Sequence, residues 1–108
     1  MLTKDLTPEE SHAVNDLTLY AVNTGAIYRE KVLPTIAHQA ALAARGVSVK
    51  LGPWLLIAME ARRMYTAELK ADPLAVVATF RQGSVMVLVA AIIRENYQEE
   101  IEEQNARA

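Results

Sequence analysis

The sequence contains no cysteine, which excludes disulfides and thiolate metal sites and makes a reducing cytoplasm the expected setting. Histidine is nearly as scarce: His12 and His38 are both read as structural or surface residues, because no set of ligands is grouped around either. Glycine and proline number four each, too few and too scattered for a phosphate-cradling loop or a flexible linker. Long apolar runs are missing too. The longest, Val85 to Ile93, is about half of the ~20 residues a membrane span needs, and the opening Met1-Leu2-Thr3-Lys4-Asp5 lacks the apolar core of a secretory signal. Ser84 follows Gly83 without the second glycine of a nucleophile elbow. Glu99, Glu100, Glu102 and Glu103 do not form the Glu-x-x-His pattern of a di-iron bundle. No catalytic residue, cofactor or metal is expected, and the chain is read as non-enzymatic.

What is present points to helices. The 108 residues, 52% hydrophobic and 22% charged, suit one domain spanning 1–108 that buries a large core or shares an apolar face with a second copy. Residues 1–6 and 103–108 are expected to fray. Net charge is −2 but unevenly spread: both ends are acidic, while residues 29–94 hold most of the arginine and lysine. Acidic ends that neutralise a basic middle, within one bundle or across a homodimer, account for that pattern.

Thr7-Pro8-Glu9-Glu10 carries an N-cap, a first-turn proline and a capping-box glutamate, so a helix starts there. Val14, Leu17, Ala21, Thr24 and Tyr28 continue it as one buried stripe. Gly25 marks a bend or a close approach of another helix, and Pro34 predicts a kink near Val32-Leu33. The alanine-rich stretch from Ile36 to Ala44 should end at Arg45-Gly46, a cationic last turn followed by a glycine. Pro53 suits the first turn of the next helix, on which Trp54, Ala58, Ala61, Tyr65 and Leu69 share the core face while Glu60 and Arg63 pair outside it. Asp72-Pro73 repeats the cap-plus-proline signal and predicts a short helix to about Arg81, stopped at Gly83. Ser84 would then cap a last helix whose Val85 to Ile93 segment, apolar on all sides, lies at the centre. The fold class expected is all-α, a compact bundle of four or five helices around a central apolar C-terminal helix.

The candidate working surface is a recurring pair of aromatic ring and arginine: Tyr28-Arg29, Arg62-Arg63-Met64-Tyr65, and Arg94 close to Tyr97. Rings bury and guanidinium groups bind, and both are enriched among interface anchors. Arg29, Arg62, Arg63, Tyr65 and Lys70 are the partner-binding candidates. The plainer reading is that the tyrosines are core and the arginines pair with Glu60, Glu68 and the acidic tail. A nucleic-acid role for Arg62, Arg63 and Lys70 beside Tyr65 is the alternative, disfavoured by the net charge. A helix-turn-helix around Arg45-Gly46-Val47-Ser48 fails because Gly52-Pro53-Trp54-Leu55-Leu56-Ile57 is too apolar to read base edges.

The series Tyr20-x-x-Asn23-Thr24-Gly25-x-x-Tyr28-Arg29, Pro34, Gly46, Leu51-x-x-Trp54 and Ala61-Arg62-Arg63-x-Tyr65-x-x-Glu68, closing on Tyr97-x-x-Glu100-Ile101, resembles a family of small, uncharacterised helical proteins of tailed bacteriophages and prophages over roughly residues 17–101. The chain departs from that pattern at Val47-Ser48, at Leu51-Gly52-Pro53-Trp54 and between Phe80 and Met86. The resemblance implies a phage or prophage setting and carries no activity. The expectation is therefore an interaction protein that binds a host or phage macromolecule, with a minor component of virion assembly as a further alternative.

Overall fold

The computed structural model describes residues 5–48 and 50–107. Among them the chain forms α1 (Pro8–Asn23), a short α2 (Gly25–Ile27), a π-helical turn (Tyr28–Val32), α3 (Leu33–Ala44), α4 (Gly52–Leu69) and α5 (Thr79–Arg107), with no strand. The all-α bundle is as expected. Its overall extents are 43 × 29 × 18 Å, which is two helices thick. Residues 1–4, Val49 and Ala108, which fall within the predicted frayed ends and the connection before Pro53, lie outside the described residues.

Each helix end has a local cause. The capping box at α1 is complete: Glu10 N–H donates to Thr7 Oγ1 at 3.1 Å and Thr7 N–H donates to Glu10 Oε1 at 2.9 Å. α1 stops at Thr24, whose extended backbone (φ −93°, ψ 108°) breaks the ladder before Gly25 restarts it. Gly25 is thus the bend, and what approaches it is a side chain: a Cβ there would stand 2.9 Å from Arg29 Nη1. The kink expected from Pro34 takes the form of the π-helical turn. A proline ring crowds the carbonyl four residues back and offers it no donor; in the widened turn just before it, Leu33 N–H reaches back to Tyr28 O. α3 ends in a Schellman motif, with Gly46 at φ 78°, Val47 N–H on Leu42 O at 2.9 Å and Gly46 N–H on Ala43 O at 3.0 Å.

α5 is the central element and packs against α1, α3 and α4, while α1 also meets α4. Its buried residues include Val85, Val89, Ile93, Tyr97 and Ile101, one at every fourth position. A row of that spacing turns around the helix by about 40° per step, so successive positions face different neighbours and a single helix can serve three. The expected burial on all sides does not hold, because Val87 is 42% exposed and faces outward. Helix continues through Arg107 where fraying from residue 103 was expected, with Ile101 seated in the core, and at the other end Leu6 packs against the core. On α4, Trp54, Ala58 and Ala61 are buried as expected, joined by Ile57, whereas Leu69 is 54% exposed because the last turn of α4 leaves the core.

The predicted helix from Pro73 to Arg81 is absent. Residues 73–77 form successive turns, with Ala75 N–H on Asp72 O at 3.0 Å and Val77 N–H on Leu74 O at 2.9 Å. Asp72 Oδ1 accepts from Leu74 N–H at 3.0 Å, an Asx turn that competes with a helical cap. Leu74 and Val77 both insert into the core, which turns of this tightness allow. α5 then starts at Thr79 and runs straight through Gly83 and Ser84. Mid-helix glycine costs about 1 kcal/mol, and core packing from Val85 onward outweighs it.

Candidate functional site

A concavity lies between α4 and α5, at the end closed by the 70–78 segment. It encloses about 850 Å³. Leu55, Met59, Ala67 and Met86 give it apolar walls, and Arg62, Arg63, Asp72 and Gln82 stand among the residues around them. Large apolar side chains remain uncovered on the wall and on the chain segments next to it: Met59 is 53% exposed, Val76 70% and Phe80, the chain's single phenylalanine, 86%.

The segment that closes the groove is held at several points. Arg62 donates from both Nε and Nη2 to Asp72, at 3.2 and 2.6 Å, the fork geometry of a strong guanidinium–carboxylate pair. Gln82 Nε2 donates to Leu74 O at 3.3 Å. Where α5 begins, Arg81 Nε lies 2.8 Å from Glu10 Oε2, so the capping glutamate of α1, almost fully buried, also ties the two helix starts together. The Arg62 guanidinium beside Asp72 holds its carboxyl below the ordinary carboxylate range, against the opposing effect of burial and with help from the Leu74 N–H.

The candidate residues separate here. Arg62 and Arg63 share the groove, but each is already engaged, Arg63 with Glu60 on the same helix at 2.5 Å. Glu60 is correspondingly held below its usual range, first by the hydrogen bonds from Arg63. Arg29 lies on the π-helical turn with its guanidinium folded back over Gly25. Lys70 ends α4 in the left-handed conformation, φ 56°, with its side chain in solvent. Tyr65 is half-buried and meets Tyr20 edge to face, ring centres 5.5 Å apart. The expected pairing of arginine with Glu68 or the acidic tail is not what forms: Glu68 accepts from Tyr20 Oη and Glu100 from Tyr28 Oη at 3.2 Å.

A second aromatic group lies inside. Trp54 stacks on Tyr97 at 6.0 Å with 12° between planes, and Tyr97 in turn meets Tyr28 at 5.8 Å. These contacts leave a titration signature. The hydrogen bond to Glu68 is the main cause that raises the Tyr20 phenol, whereas burial comes first for Tyr28 and for Tyr97, with the Glu100 charge adding to both. Alkaline titration followed by tyrosinate absorbance is expected to find these three ionising above 10.0, their ordinary value. A raised folded value means stabilisation that is intact below that pH and lost as the pH climbs through the folded values. Ionisation of all three at the ordinary value would contradict the packing.

His12, read only as a structural or surface residue, has a carboxylate one turn along α1, with Nε2 3.2 Å from Asp16 Oδ2. The pair is exposed, and among the described residues no group of three potential ligands could hold a metal ion. No helix among them is long and apolar enough to cross a membrane. No family model, curated protein or solved structure matches the chain.

Sequence reasoning missed Phe80, Met59 and the bracing role of Asp72 and Gln82. Val76, Phe80, Gly83 and Val87 do recur at helical spacing, but the misplaced helix end at Gly83 cut that series in two. Nothing local could have shown that Arg62 pairs with Asp72 across the end of α4.

Proposed function

We propose that the protein is a non-enzymatic interaction module whose α4–α5 groove receives an amphipathic helix of a partner protein. The observation that carries this reading is the groove itself, apolar-walled and about 850 Å³ in volume, beside three uncovered side chains, Met59, Val76 and Phe80. A groove between two helices suits a third helix laid into it. Methionine walls adapt to the side chains presented. The rim supports a protein rather than a phosphate backbone, because Arg62 and Arg63 are matched by Asp72 and Glu60 and offer little net positive charge to counterion release. The resemblance to small helical proteins of tailed phages suggests the setting: a phage or prophage product acting on a host or phage protein in the bacterial cytoplasm.

Capture from a bacterial lysate on the immobilised protein, read by mass spectrometry, tests this when run beside Met59→Glu. Met59 is half in solvent, so the variant should melt at nearly the wild-type temperature. A protein retained by the wild type at moderate salt and lost from the variant is the expected result. Equal retention by both, or recovery of nucleic acid that washes off steeply with salt, overturns it.

A further inference from the structure

The outer face of α5 presents Phe80, Gly83, Ser84 and Val87, all exposed, and of these only Gly83 also borders the groove. Phenylalanine at 86% exposure gains nothing from solvent. Gly83 weakens the helix by about 1 kcal/mol relative to alanine, yet nothing lies within 4 Å of where its Cβ would stand, so no neighbour in the fold requires it. Positions 80, 83, 84 and 87 occupy one side of the helix. In order they read large, small, small, large, which is the same in either direction.

We propose that two copies of the protein pair through this face, with their α5 helices antiparallel and a two-fold axis passing beside the Gly83–Ser84 peptide. Gly83 of each copy then faces Ser84 of the partner subunit, where the two backbones come closest, and Phe80 faces Val87 of the partner subunit on either side. A self-complementary face is what a two-fold interface demands; a different partner would impose no such palindrome. The face carries no ionised side chain, so the −2 charge of each copy is kept off the contact.

The area sets the strength. From Phe80 to Ala91 the helix runs about 16 Å and is roughly 10 Å wide, and with Val76 and Met59 at its margins the face covers several hundred Å² per copy. That is the low end of specific interfaces, and dissociation in the micromolar range follows. The face adjoins the partner groove, because Gly83 and Met59 border both, so the pairing is read on the purified protein with no other partner present. A purified protein that pairs yet captures nothing from lysate, or one that captures a partner yet stays monomeric, tells the failure of one reading from the failure of the other.

Sedimentation equilibrium across the micromolar range, with single-residue variants, tests the pairing. Wild type should shift from the 11.9 kDa monomer to twice that mass as concentration rises. Ser84→Glu places two carboxylates at the closest approach and should weaken the dimer at least about a hundredfold, as changes at the centre of an interface do, with helical signal and melting of the monomer preserved. Because the chain has no cysteine, Ser84→Cys introduces a single thiol, and mild oxidation should trap that variant as a covalent dimer. Leu19→Cys, on α1 and 50% exposed, should stay monomeric under the same oxidation. A wild type that remains monomeric overturns the proposal. So does a dimer indifferent to Ser84→Glu, or one cross-linked as readily through Leu19→Cys as through Ser84→Cys.

Discussion

Trp54→Ala is expected to cost about 3–5 kcal/mol of folding stability, enough to remove most of the margin of a domain this small. Trp54 is completely buried and stacks on Tyr97, which in turn contacts Tyr28, so the lost ring leaves a void at the junction of α4, α5 and the π-helical turn. Among the described residues no acceptor faces the buried Trp54 Nε1. Trp54→Phe removes a donor that gains nothing here and should cost distinctly less than the alanine variant. Urea denaturation of both variants checks the ordering. Equal losses would mean that the volume of the side chain is not what matters at this position.

Asp72→Ala should be the next most damaging change, at about 2 kcal/mol. It strips Arg62 of its bidentate partner and Leu74 N–H of its acceptor at one stroke. Asp72→Asn keeps an oxygen for Leu74 and should cost less. The same carboxylate imposes a pH dependence. Its folded value lies below the ordinary one, so its contribution is complete above the carboxylate range of about 4 and disappears as the pH falls through the depressed folded value. Amide exchange in residues 74–78 should accelerate selectively under those acidic conditions in the wild type and already at neutral pH in Asp72→Ala. Uniform acceleration over the whole chain would show that the segment is not a separately anchored unit.

How far the sequence predicted the structure depended on how far apart the causes lie. The cap at Thr7, the glycine after α3 and the first-turn proline of α4 each act within a few residues, and each was read correctly. Asp72-Pro73 carries an equally good local signal and misled, because Leu74 and Val77 gain more from the core in a run of tight turns than from a helix. Pro34 announced a disturbance without its form. The arginine contacts were least accessible: pairing within a turn, as in Glu60 and Arg63, follows from spacing, but Arg62 with Asp72 and Tyr20 with Glu68 depend on how the chain folds back. As for the candidate site, two of its five residues, Arg62 and Arg63, line the groove, and the uncovered Phe80 could be recognised only once Gly83 proved to lie inside a helix.

The long axis of the molecule, 43 Å, is close to the length of α5 alone, since 29 residues rise about 1.5 Å each. That helix holds an uncharged stretch, residues 82–93, and then Glu95, Glu99, Glu102 and Glu103 towards its C-terminal end, where the backbone dipole is also negative. Electrically the helix is a rod whose N-terminal part carries little net charge, Arg81 being matched by Glu10, and whose other end repels anions. An acidic macromolecule that meets it is turned away from the glutamates, and the approaches that survive are those that arrive at the weakly charged end, beside the exposed Phe80.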